Sequence, residues 1–215
     1  MPVYHEVQQG EHLSGIAHQY GFTSYEPIWN HSENAALKLK RGDPHILLPG
    51  DALFIPDFES AQKSATTDQR HEYRLRGKQL ILRLVLKNTD DKPLANLPCS
   101  LTLDGSSEQT TTDGEGLIER MIPRSAKEAA ITASDPATGL ELKWNIRIGH
   151  LDPAEEITGV MARLNNLGYF AGEPGGKEAE AFQMALEEFQ CDQSLKVSGQ
   201  VDSATLAKLK EVHGS

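Results

Sequence analysis

The stretch Val7-Gln-Gln-Gly10-Glu-His-Leu13-Ser-Gly-Ile16-Ala17-His-Gln-Tyr20-Gly21 and its return Leu48-Pro49-Gly50-Asp51-Ala-Leu53-Phe-Ile55-Pro56 decide how the N-terminal part of the chain folds. A short strand ends at Gly10, the residue that best tolerates a tight turn into a helix. Leu13, Ile16, Ala17 and Tyr20 then recur at i, i+3, i+4 and i+7, which is one helical face. Gly21 sits where that helix should stop. Pro49-Gly50 marks a turn, Leu53 and Ile55 alternate with their neighbours as a returning strand, and Pro56 ends it. Residues 1–57 are therefore expected to form a strand–helix–helix–strand unit, with Ile28 and Trp29 of the second helix packing its core.

With its Val-x-x-Gly-x-x-Leu-x-x-Ile-Ala opening and its Leu-Pro-Gly-x-x-Leu-x-Ile-Pro ending, this stretch resembles the LysM module. That family is a small βααβ unit that binds the N-acetylglucosamine-containing glycan of peptidoglycan or chitin. The resemblance implies a glycan groove between two turns, with Gly10, Glu11, His12 and Leu13 on one side and Leu47, Leu48, Pro49 and Gly50 on the other. Backbone amides and carbonyls there would grip N-acetyl groups while apolar side chains cover the sugar face. The same residues would also define the fold of a unit that binds no sugar. Asn34 to His45 is longer than the minimal module and lies beside the groove, where it could reshape or cover it.

Gly149-His-Leu-Asp152-Pro153 opens a C-terminal unit, 150–215. Asp152 is a candidate helix cap, Pro153 suits a first turn, and Glu155 completes a near capping box. Ile157, Val160, Leu164 and Leu167 follow at helical spacing, and Gly168 stops the helix. A second helix carries Phe182, Ala185, Leu186 and Phe189. A third starts near Asp202 and carries Leu206, Leu209 and Val212. The order Val160…Leu164…Leu167-Gly168-Tyr169, Ala185-Leu186…Phe189-Gln190, Leu195…Gly199…Val201-Asp202…Thr205-Leu206…Leu209 resembles the three-helix peptidoglycan-binding domain over 156–210. Tyr169 and Phe170 are its candidate second wall-binding surface, with core packing as the competing role. The loop Ala171–Lys177 lacks that family's usual Asp-Gly motif.

Between the two lie a polar linker at 58–71 and a stretch of two-residue alternation at 72–149. Leu80, Leu82, Leu84 and Leu86 share one strand face, and Leu140, Leu142, Trp144, Ile146 and Ile148 share another. Shorter strands are expected near Pro98–Leu103, Gln109–Thr112, Gly116–Ile122 and Ala129–Ala133. Turns are marked by Asp90-Asp91-Lys-Pro93, Asp104-Gly105, Asp113-Gly114 and Thr138-Gly139. This is the pattern of a small β-sandwich, and the Pro93-Leu-Ala-Asn and Thr112-Asp113-Gly-Glu-Gly116 segments resemble Ig-like or transthyretin-like modules. The fold class expected of the whole chain is multidomain α+β: a βααβ module, an all-β sandwich and an all-α three-helix domain.

The net charge of −10 is carried by the ends. Residues 1–57 hold 7 acidic and 3 basic side chains, residues 58–149 hold 13 of each, and residues 150–215 hold 11 and 5. Such ends argue against nucleic acid or an anionic membrane as the main partner, and no apolar run approaches the length of a membrane span. The N-terminus, Met-Pro-Val-Tyr-His-Glu-Val, has no secretory-signal character. Synthesis in the cytoplasm, with delivery to the periplasm by a non-classical route, is the expectation. Cys99 and Cys191 are expected as buried thiols in different units. His5, His12, His18, His31 and His45 cluster in the first unit but lack metal-ligand spacing, so solvated or capping roles are expected and no metal or cofactor. No nucleophile elbow, zinc-protease motif or phosphate loop occurs, and no catalytic residue is assigned.

Two functions compete. The first is a non-catalytic peptidoglycan-binding protein. The second is an adaptor whose modules dock an effector or spike protein. The Asn34–Gly50 loop, the Pro93…Gly116 segment and the Leu164–Tyr169 helix end resemble proteins associated with type VI secretion clusters, which gives either function its setting.

Overall fold

Val3–Glu6 (β1) and Ala52–Ile55 (β2) pair antiparallel, Val3 opposite Ile55 and Glu6 opposite Ala52, and three helices lie between them. The computed structural model that shows this describes residues 2–57, 67, 69–70, 80–88, 92–134, 139–177 and 179–214. The helices are Leu13–Gln19 (α1), Glu26–Trp29 (α2) and Ala35–Arg41 (α3), with a 3-10 turn at Ser32–Asn34. One helix more than expected is present because the added residues wind into α3, which Gly42 ends at φ +73. Asn34 fixes this arrangement. Its side-chain amide donates to the carbonyls of Ile28 and Phe54, both at 2.8 Å, and its oxygen accepts from the Phe54 amide at 2.8 Å. With Asn34 only 1% exposed, all three bonds form away from water, where leaving a polar group unmade is costly. Val7, Leu13, Ile16, Ala17, Ile28, Trp29, Leu47, Leu53 and Ile55 form the core beneath.

Among the described residues six strands follow: Leu80–Val85 (β3), Pro98–Leu103 (β4), Ser106–Thr111 (β5), Leu117–Ile122 (β6), Glu128–Ser134 (β7) and Glu141–Arg147 (β8). β3 pairs with β6, and a second antiparallel sheet runs β5-β4-β7-β8. One apolar cluster draws on both sheets, with Leu86, Ile118 and Ile122 from one side and Cys99, Leu101, Ile131 and Ala133 from the other. The period-2 faces of β3 and β8 point as their patterns require. Two expectations fail at the margin: Leu140 precedes β8 and is 67% exposed, and Trp144 is half-buried against the core rather than enclosed in it. The linker expected at 58–71, apart from 67, 69 and 70, lies outside the described residues, as do the turn residues Asp90, Asp91 and Thr138.

Three helices close the chain: Ile157–Asn166 (α4), Ala179–Asp192 (α5) and Ser203–His213 (α6). Val160, Leu164, Ala185, Leu186, Phe189 and Leu209 bury a third core. α6 begins as its cap signal requires, the Asp202 carboxylate accepting from the Thr205 amide and hydroxyl, both at 2.8 Å. α4 does not. It starts at Ile157 rather than after Asp152, because the Asp152 carboxylate accepts from the Thr158 hydroxyl and the Glu156 amide closes a turn on the Pro153 carbonyl. Ile157, expected on the inner face, is 63% exposed at this shifted start, and Val212 is 39% exposed in the last turn of α6. Cys191, expected buried, is exposed, while Cys99 is buried.

Gly159 is the reason the Asp152-Pro153 segment can lie against α4. A Cβ there would stand 2.0 Å from the Pro153 carbonyl oxygen and 2.6 Å from that of Asp152. Arg163, 1% exposed, reinforces the contact by donating to the carbonyls of Asp152 and Gly159 at 2.8 and 2.9 Å. Gly159→Ala gains about 1 kcal/mol of helix propensity but forces a backbone shift of the overpacking kind, which costs about 1–3 kcal/mol. A net loss of stability by urea unfolding is expected. A net gain would show that the segment moves aside freely.

Candidate functional site

The two turns named from the N-terminal stretch come together. The Val7 amide donates to the Asp51 carbonyl at 2.9 Å and the Gly50 amide to the Val7 carbonyl at 2.8 Å. Gly10 and Gly50 both take the left-handed backbone, φ +87 and +89. The eight residues differ sharply in what they can offer a ligand. Leu13 and Leu47 are core, 0% and 3% exposed, and His12 is 5% exposed. Glu11 is half-buried and turned back on its own loop, accepting from the Gln8 amide at 2.9 Å and meeting the His5 ring at 2.7 Å. Gly10 and Leu48 are half-buried, and Pro49 and Gly50 are exposed. Leu13 and Leu47 thus belong to the core, while Pro49 and Gly50 face outward.

His12 caps α1 through its ring: Nδ1 accepts from the Gly15 amide at 3.3 Å. Burial above all, and then the His45 ring, pushes its pKa down to about 4 against a small opposing pull from Glu11. The His12 and His45 ring centroids are 6.2 Å apart, and Tyr25 lies edge-on to His45 at 5.1 Å. His45 Nδ1 is buried without a hydrogen-bond partner, and burial lowers that ring's pKa as well. Among the described residues no three His, Cys, Asp or Glu side chains converge as a metal-ligand set.

The pair that holds the second turn was not singled out in the sequence. Arg41, the last residue of α3, grips Asp51 with two bonds of 2.7 Å, and the Leu48 amide donates to the same carboxylate at 2.9 Å. Both side chains are nearly closed off, at 4% and 6% exposure. Burial pushes the Asp51 carboxyl up, but the Arg41 bonds and the Leu48 amide together outweigh it and the net shift is downward. The added helix therefore holds the second turn through Arg41. An acidic residue directly after Pro49-Gly50 was the available signal.

The opposite wall is the chain's own boundary segment. A Cβ on Gly149 would stand 2.6 Å from the Gly10 carbonyl oxygen and 3.3 Å from the His12 ring, and a Cβ on Gly10 would stand 2.7 Å from His150 Nε2. The two glycine backbones are thus in direct contact. Gln9 Nε2 reaches Asp152 at 3.4 Å, and Arg124 Nη1 reaches the Phe22 carbonyl at 3.4 Å. Glu155 and Glu156 contribute to the field at Arg41, and Asp43 to that at Arg163. Farther round, a cleft of about 620 Å³ opens between His18 and Phe22 on one side and Met121 and Arg124 on the other.

In the C-terminal unit, Asn165 clamps the loop after α4, accepting from the Ala171 amide and donating to the Gly172 carbonyl, both at 2.8 Å. This presents Phe170 to solvent at 75% exposure. Tyr169 turns inward, edge-on to Phe189 at 5.5 Å with its hydroxyl on Asp192 at 3.0 Å, so the two residues named together serve different ends. Gln190, fully buried, sets the loop before α6. Its oxygen accepts from the Ser198 and Gly199 amides at 2.8 and 3.0 Å, and its nitrogen donates to the Gln200 carbonyl at 2.9 Å and to Thr205 Oγ1 at 3.0 Å.

No curated protein and no solved structure matches the chain. Residues 154–209, the three helices and the loops that Asn165 and Gln190 organise, match the family model described as "Putative peptidoglycan binding domain", and in this region the chain is similar to that family.

Proposed function

We propose that the protein is a non-catalytic binder of peptidoglycan that uses two modules, the C-terminal helical unit and a LysM-like N-terminal unit, joined by an Ig-like β-sandwich. The observation that carries this reading is the family match over 154–209, in a unit whose ordered loop holds a bare aromatic ring outward. An exposed Phe170 suits the apolar face of a sugar ring. Two weak sites on one chain gain avidity on a polymer that repeats the same unit. Cys99 is no ready nucleophile, since burial pushes its thiol up and away from the reactive thiolate. A type VI secretion or other contractile injection system as its setting rests on the sequence resemblances of the loop, sandwich and helix-end segments.

The test is sedimentation with insoluble peptidoglycan. The full chain is expected to pellet, and Phe170→Ser to lower the affinity about three- to tenfold, the range that loss of one aromatic contact of about 0.5–1.5 kcal/mol implies. If the full chain stays in the supernatant, the wall-binding reading fails. A second reading, an adaptor that docks an effector or spike protein, is favoured by one observation: Gly149 and His150 already occupy one side of the Gly10 turn.

A further inference from the structure

The Gly10–Leu13 turn is the half of the N-terminal groove that meets the boundary segment. Gly10 and Gly149 touch backbone to backbone in conformations that only glycine adopts easily, φ +87 and +79. A side chain on Gly149 would press on the Gly10 carbonyl, and one on Gly10 would push against the His150 ring. On the second side of the groove, Arg41 lies within the fields of Glu155 and Glu156. Residues 149–152 run along the Gly10 turn, where Gly149 meets Gly10 and Gln9 reaches Asp152. The three apolar cores are separate, and the polar contacts described across the junction, Gln9 to Asp152 and Arg124 to Phe22, are both 3.4 Å, near the outer limit for a hydrogen bond. Three separate cores with long polar contacts between them are the arrangement of intra-chain interfaces that open and close.

We propose that the Gly149–Asp152 segment is an autoinhibitory cover on the N-terminal glycan groove, and that this groove takes sugar only when the cover swings away. The inference rests on the N-terminal half of the proposed function and names its regulation. Binding at the groove is reduced by the fraction of molecules in which the cover is open, so fixing the cover shut lowers affinity and wedging it open raises it.

The test uses the full chain in a Cys191→Ser background with chitohexaose as the soluble glycan, measured by calorimetry. Gln9→Cys with Asp152→Cys sets one thiol on each side of the contact that the Gln9 amide now bridges. Oxidation is expected to weaken chitohexaose at least tenfold, and reduction to restore it, which controls for folding. Gly149→Ala, the wedge, is expected to bind several-fold tighter than wild type. Equal affinity in oxidised, reduced and wedged forms overturns the cover while leaving the glycan groove intact. Absence of chitohexaose binding in every form, the reduced and wedged ones included, overturns both the groove and its cover. In that case pelleting with peptidoglycan that persists and depends on Phe170 confines the wall-binding reading to the C-terminal unit.

Discussion

Arg41→Ala is expected to cost the folded protein about 3–5 kcal/mol, the penalty of leaving one partner of a buried ion pair without the other. Arg41 and Asp51 meet through two bonds of 2.7 Å with both side chains nearly closed off, at 4% and 6% exposure. The carboxylate left behind would keep the Leu48 amide, at 2.9 Å, but no counter-charge. Removing both charges should hurt less than removing one. In Arg41→Met with Asp51→Leu, no buried ion remains, and the largest residual cost is the Leu48 amide losing its acceptor, about 1–3 kcal/mol. Urea unfolding of the single and double variants decides the matter. A single-variant loss below about 1 kcal/mol would put the pair in the class of surface bridges, and the Leu48–Gly50 turn would then owe its shape to its backbone bonds alone. Because Asp51 also closes that turn onto Val7, Arg41→Ala should loosen the groove's second side before the whole unit unfolds.

What the sequence made legible were the features whose causes are local. Leu80, Leu82 and Leu84 place β3 because a period of two has one structural meaning, and the Pro98–Leu103 strand is read to the residue. Asp202 caps α6 because an aspartate three residues before Thr205 can satisfy its amide without help from elsewhere. At Asp152 the same local logic failed, because a tertiary contact outbid it: the segment lies flat on α4 at Gly159 and its carboxylate answers Thr158. A glycine inside an otherwise apolar helical pattern was the signal of that close approach. Arg163 gave no signal. An arginine at 1% exposure is set by the carbonyls the fold happens to bring to it. The contact between Gly10 and Gly149 gave no signal either, since the two belong to different units and no periodicity links them.

Acid should destabilise the N-terminal unit by way of His12, and the direction follows from where the proton is bound. In the folded protein burial and the His45 ring hold the His12 pKa down to about 4, against 6.5 when exposed. Between those values the unfolded chain takes up a proton that the folded one refuses, so stability is full above about pH 6.5 and falls as the pH drops toward 4. The gap between the two values corresponds to about 3 kcal/mol over the whole window. The cap gives this a structural cause: Nδ1 accepts from the Gly15 amide, and a protonated ring would turn a donor toward that N–H. The groups around the ring are His45 from the loop before the second turn, Glu11 from its own turn, and Gly149 with His150 from the boundary segment. His45 and His150 have lowered pKa values of their own, burial first in each case, so neither welcomes the proton in its place. His12→Asn keeps a capping oxygen without the titration. Between about pH 7 and 4.5 the wild type should lose about 2–3 kcal/mol more than His12→Asn in urea unfolding; equal losses would assign the acid limb to other groups.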